Sequence, residues 1–177
     1  MMRLYRPVWL YFANILQRRY GTSMKIDDKS SLMTQAIAQA QLAASAAEVP
    51  VGAVIYDSSS GTIIAAQHNL TEANQDSTAH AELLAIQQAQ KVKGSKNLSD
   101  CDIWVTLEPC AMCAGALAHA RIRRIYFGAA DKKGGAIEHG PHIFDQATTH
   151  HKPEIYGGFQ ERECAALLTA FFAAKRS

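Results

Sequence analysis

The sequence predicts an α/β domain, a mixed sheet of about five strands with helices on its faces. Three observations lead there. Short β-rich runs alternate with helical periodicities, and the first two runs form a hairpin pattern. The chain is also apolar enough for one full core, with 177 residues of which 48% are hydrophobic and 19% charged. That composition excludes disorder, and 11 Gly with 5 Pro exclude a fibrous repeat. No apolar run reaches the ~18 residues of a transmembrane helix.

The elements follow in order. Met33, Ala36, Ile37, Ala40 and Ala44 recur at helical spacing, ending before Glu48-Val49-Pro50. Val51–Tyr56 and Thr62–Gln67 are β-rich and are split by Ser58-Ser59-Ser60-Gly61, a turn. Asp76–Thr78 offers capping oxygens for a helix carrying Leu83, Leu84, Ile86 and Ala89. Asp102–Leu107 predicts a strand, Cys110–Ala120 a helix and Arg123–Phe127 another strand. A loop from Asp131 to Lys152 holds four His and three Gly. Glu154–Tyr156 predicts a short strand and Gln160–Lys175 a closing helix.

Residues 1–27 stand apart from this domain, which is expected over 28–177. Residues 1–26 carry Arg3, Arg6, Arg18, Arg19 and Lys25 without an acid, a charge of +5, against −3 for the rest. Val8–Leu16 is apolar between these arginines. The pattern suits an organelle transit peptide, a membrane-surface helix, a disordered extension, or translation begun upstream of a true start at Met24 or Met33.

Of four cysteines only Cys110 and Cys113 form a CxxC, which argues against a secreted disulfide framework and leaves metal binding or redox chemistry. The surroundings favour metal. Cys110 and Cys113 lie three apart at a predicted helix start behind Pro109, where thiolates are favoured. With His80 they make three ligands of the kind zinc prefers, and an open fourth position marks a catalytic centre. Another His (His119, His139, His142, His150 or His151) closing the site would make it structural instead. Glu82 points toward catalysis, because two residues along a helix turn by roughly 200° and place it beside the metal water instead of on the metal. Two thiolates and an imidazole acidify that water less than an all-histidine set, so a carboxylate base is useful.

His-x-Glu followed by Pro-Cys-x-x-Cys resembles the zinc nucleobase deaminases. Beyond that signature, Glu48-Val49-Pro50-Val51-Gly52-Ala53-Val54, Thr78-Ala79-His80-Ala81-Glu82 and Val105 through Ala116 resemble the bacterial tRNA adenosine deaminases. So do Arg121-Ile122-Arg123-Arg124, Phe127-Gly128-Ala129 and Glu163 through Leu168 with Phe171-Phe172. The resemblance covers residue 30 onward and is similar to the alphaproteobacterial branch. It implies the three-layer α/β/α cytidine-deaminase fold, a cytoplasmic homodimer with one zinc per subunit, and conversion of adenosine to inosine at the wobble position of a tRNA anticodon stem-loop. It implies substrate contacts at Asn69, Val51, Ala81 and Pro109, and no membrane association for residues 28–177.

The chain departs from the family at Lys132-Lys133-Gly134-Gly135-Ala136-Ile137-Glu138-His139-Gly140, where Thr-Gly-Ala-Ala-Gly-Ser is commoner, and at Thr148 through Pro153. Arg121, Arg123, Arg124, Lys132, Lys133 and Lys152, with Lys175 and Arg176, would form a phosphate-binding rim if they converge on the pocket mouth. The helix after Pro109 is apolar on every side, as burial against a partner subunit would require. Two rival readings stand: a deaminase of a free base or nucleotide (guanine, cytosine or deoxycytidylate), and a non-catalytic zinc-binding subunit that interacts with RNA. Glu82 argues against the second, since a scaffold has no need of it.

Overall fold

A computed structural model describes residues 29–176, so the expectations for residues 1–27 lie outside the described residues. Helix α1 (Lys29–Ser45) leads to strands β1 (Gly52–Asp57) and β2 (Thr62–His68), then α2 (Ala81–Lys93) and β3 (Cys101–Leu107). Helix α3 (Ala111–Ala120), β4 (Arg124–Ala129), a 3-10 turn at Ile143–Asp145, β5 (Glu154–Tyr156) and α4 (Glu161–Ala174) complete the order. The five strands run β2-β1-β3-β4-β5. β1 is antiparallel to β2 and β3, whereas β3, β4 and β5 are parallel, a mixed sheet as expected.

Period-two alternation sorts the side chains into two cores. Ala53, Ile55, Ile103, Val105, Ile125 and Phe127 face α2 and α3. Val54, Trp104 and Tyr126 face α1 and α4, where they meet Met33, Ala36 and Cys164. The result is the three-layer α/β/α arrangement.

On α1 the buried stripe is Met33, Ala36, Ala40 and Ala43, so Ala43 takes the place expected for Ala44. These small residues let the helix lie close on β1. A Cβ at Gly52 would run into the Ala36 carbonyl oxygen and stand 2.6 Å from the Ala40 nitrogen. Cys101 and Cys164 are buried free thiols. Among the described residues no helix is long and apolar enough to cross a membrane.

Candidate active site

Two helix N-termini meet at one end of the sheet. His80 is the N-cap of α2 and Cys110 the N-cap of α3, both in extended backbone, so α3 begins one residue later than expected. Asp76, expected to help cap α2, closes a turn of its own: its Oδ1 accepts from the Thr78 N–H and hydroxyl at 2.8 and 2.7 Å. The dipoles of both helices direct positive potential at the site, which favours thiolates.

His80 Nδ1 lies 3.8 Å from Cys110 Sγ and 3.6 Å from Cys113 Sγ. One donor atom from each of the three residues falls within 4.8 Å of the others. Hydrogen bonding from Cys113, reinforced by His80, pulls the Cys110 thiol down to about 4, so it is a thiolate at neutral pH. A thiolate-imidazole set of this size suits a borderline-soft cation such as zinc.

Glu82, in the first turn of α2, is 4% exposed, and its Oε2 has no hydrogen-bond partner among the described residues. A buried, unpartnered carboxylate oxygen beside three metal-type donors fits a site built to hold a metal and a water together. Burial pushes Glu82 above the ordinary carboxylate range, toward holding a proton.

The cavity is about 180 Å³ and is lined by Val49, Val51, Asn69, Thr71, Leu107, Glu108 and Asp131 together with His80, Glu82 and Cys110. Val51 and Asn69, two of the four residues expected at the substrate, thus line the cavity. Ala81 and Pro109 are buried beside the cavity and are not among its lining residues. The Ala81 N–H donates to Asn69 Oδ1 at 2.9 Å, which aligns Asn69 with the start of α2. None of the histidines proposed as a fourth donor joins the trio: His119 is exposed at the far end of α3, His142 faces the Ile137 carbonyl, and His151 the Ile122 carbonyl.

Two buried carboxylates hold segments that line the cavity, and sequence reasoning assigned no role to either. Glu48, fully buried, accepts from the Thr71 hydroxyl at 3.0 Å, the Glu72 N–H at 2.9 and 3.1 Å and the Ala73 N–H at 2.8 Å. Glu108, 2% exposed, holds the loop after β4 in the same manner. Burial alone would raise both groups, but the donated hydrogen bonds outweigh it and both lie below the ordinary carboxylate value.

The expected basic rim does not converge. Arg123 and Arg124 stand at the start of β4, the end of the sheet opposite the cavity, roughly 16 Å along a six-residue strand. There Arg123 makes a two-pronged pair with Asp102 at 2.8 Å, and Arg124 pairs with Glu154 at 3.0 Å. Lys132 and Lys133, beyond the other end of β4, are exposed on the cavity side. A second acid-thiol trio, Asp57, Asp100 and Cys101, is an ion-pair cluster: Lys93 Nζ lies 3.1 Å from Asp57 and 2.7 Å from Asp100.

Fold and site together define a base deaminase of the cytidine-deaminase type. The sequence profile of the MafB19-like deaminases matches residues 27–172. A tRNA-specific adenosine deaminase of Rickettsia bellii is 48% identical over 140 residues, 79% of this chain and 97% of that protein. A solved tRNA:A34 deaminase, from work on A-to-I editing at the wobble position, superposes with a TM-score of 0.76 at 45% identity, covering 79% of this chain and all of the other. The guanine deaminase of Nitrosomonas europaea superposes with a TM-score of 0.70 over 98% of this chain and 97% of the other; at 22% identity it shows the fold alone. The chain belongs to the deaminase family, and within it to the tRNA-specific adenosine deaminases.

Proposed function

We propose that residues 28–177 hydrolytically deaminate adenosine to inosine at the wobble position of a tRNA anticodon. The observation that carries this reading is the convergence of His80, Glu82 and Cys110 on one small cavity, with Cys113 grouped beside His80 and Cys110 behind it, in a chain that spans nearly the whole length of a tRNA-specific adenosine deaminase. At about 180 Å³ the cavity is smaller than the roughly 300–1,000 Å³ of drug-sized ligand sites. It suits one splayed base, with the rest of the polynucleotide outside.

His80, Cys110 and Cys113 would hold one zinc per subunit. Bound there, zinc supplies an acidified water as nucleophile for C6. Glu82 takes the proton of the attacking water and passes it to N1 as C6 becomes tetrahedral. It then takes the proton left on the oxygen at C6 and delivers it to the departing amine, so that water adds and ammonia leaves. Val51 and Asn69 orient the base, Asn69 being held by its bond to Ala81. Ala81 and Pro109 back this wall.

The outer face of α3, with Met112 37% exposed, supports assembly as a homodimer, which light scattering would report. The activity is tested by incubating the protein with an anticodon stem-loop, free adenosine and guanine, and reading products by mass spectrometry. Inosine from the stem-loop supports the reading. Comparable turnover of the free compounds favours the free-base rival.

A further inference from the structure

Glu108 stands between β3 and Pro109, and both of its oxygens are taken up by one loop. Oε1 accepts the backbone N–H groups of Ile137, Glu138 and His139 at 3.1, 2.8 and 2.9 Å. Oε2 accepts the Asp131 N–H at 3.0 Å and meets the His139 ring Nδ1 at 2.7 Å. The same loop is tied to the segment that carries Cys110. Ala136 N–H donates to the Pro109 carbonyl at 3.0 Å, and Cys110 and Gly135 form an isolated antiparallel bridge. The approach is close enough to require glycine at 135, where a Cβ would stand 2.5 Å from Glu108 Cδ.

The 131–139 loop carries Lys132 and Lys133, exposed, and Asp131 in the cavity wall. A loop without regular structure loses entropy residue by residue when it is ordered. If that loss is met on folding, it is not met again on binding. The carboxylate is therefore placed to preorder the surface that a docking polynucleotide first meets.

We propose that Glu108 and His139 form a positioning pair for substrate, locking the 131–139 loop to the Cys110 segment so that Lys132 and Lys133 stay at the cavity mouth. The proposal rests on the anticodon reading above. Four of the five groups on Glu108 are backbone N–H groups, available whatever the side chains. The fifth is the half-buried ring of His139.

The test compares the zinc-loaded wild type with His139→Ala and His139→Asn on an anticodon stem-loop. A hydrogen bond to an ionised group accounts for roughly 10- to 100-fold, and the partly exposed ring belongs at the low end. His139→Ala should raise KM about tenfold, about 1.4 kcal/mol, with kcat within about twofold and zinc unchanged. His139→Asn, whose amide nitrogen can take the place of Nδ1, should bring KM back to within about threefold. In the RNA-free protein, amide exchange at Ile137, Glu138 and His139 should speed up about tenfold in His139→Ala and revert in His139→Asn. Unchanged KM in His139→Ala overturns the proposal. So does equal behaviour of the Ala and Asn variants, or a fall in kcat that follows lost zinc. A wild type inactive on the stem-loop would instead defeat the anticodon reading, and amide exchange would still decide whether the pair locks the loop.

Discussion

Replacing Glu48 by Gln isolates what a buried charge does for the wall of the site. The carboxylate accepts from three partners across the 71–73 turn, and it is fully buried between α1 and β1. Gln keeps the shape and one accepting oxygen, and Thr71 can turn its hydroxyl to meet the new amide. What is lost is charge assistance, about half the strength of each bond, or about 2–4 kcal/mol over three bonds of about 1.5–3 kcal/mol each. Cheaper burial of the neutral amide offsets part of this, so a loss of about 2 kcal/mol at pH 7 is expected. In urea, with m near 2 kcal/mol/M, the midpoint should drop by about 1 M. The pH dependence supplies an independent check. The folded-state pKa of Glu48 lies below its unfolded value, so its contribution is present above about pH 4.3 and is lost as pH falls through the lower folded value. The gap between wild type and Glu48→Gln should therefore close as pH falls below about 4. Both proteins carry the same His80, Cys110 and Cys113, so acid effects there drop out of the difference. A gap as wide at pH 3 as at pH 7, or none at either, would refute the reasoning.

Other substitutions probe the remaining groups. Glu82→Gln should leave zinc content and folding unchanged and lower kcat by at least about 10²–10⁴, measured as inosine formed by zinc-replete protein; turnover near wild type would assign the proton transfers to another group. Cys113→Ser should bring bound zinc well below one per chain by metal analysis, because one buried sulfur is removed from a three-donor set. Lys93→Met should cost about 2–3 kcal/mol in urea at pH 7, less than a fully buried pair because Asp100 is half exposed and Asp57 keeps its bonds from Ser59. Asp57 is held below the ordinary carboxylate range by donations from Ser59 and Lys93 that outweigh burial, so this loss too should shrink as pH falls below about 4.

The strands were legible because their residues alternate between two buried faces, and Trp104 between Ile103 and Val105 shows both faces in three residues. The metal-type trio was legible because Cys110 and Cys113 form a CxxC behind Pro109, and His80 is paired with Glu82 in a His-x-Glu upstream. Helix starts were less so. Neither His nor Cys is a usual N-cap, so nothing local marks residues 80 and 110, while Asp76 carries the usual signal and spends it on a turn. Glu48 and Glu108 were missed because a carboxylate that collects N–H groups from a loop more than 20 residues away has no periodicity. The one available signal was a charged residue set between apolar neighbours, Ala47 and Val49 or Leu107 and Pro109. The arginines misled for the opposite reason. They follow the Cys110–Ala120 segment closely in sequence, yet α3 carries the chain back to the far end of the sheet.

Strand direction explains why the chemistry gathers at one end. β3 and β4 are parallel, so Leu107 and Ala129 finish side by side, and the chain beyond them supplies Glu108 through Cys110 and the Asp131 loop. β1 runs against β3, which brings its beginning, Val51 and Gly52, to that same edge. β2 runs against β1, so His68 pairs with Gly52 and Asn69 follows at the cavity. Open α/β sheets bind ligands beyond the carboxyl ends of their parallel strands. Here the antiparallel hairpin adds a wall to that crevice, and the N-termini of α2 and α3 close it with positive dipole. The opposite end holds Asp102 with Arg123 and Arg124 with Glu154, charges already matched within the fold. On the anticodon reading proposed above, a polynucleotide would be met by Lys132 and Lys133, exposed beside Asp131 of the cavity wall. Salt sensitivity of stem-loop binding should accordingly follow these two lysines and be unaffected by neutralising Arg124, and a salt slope that falls with Arg124→Gln would place the RNA on the wrong end of the sheet for this site.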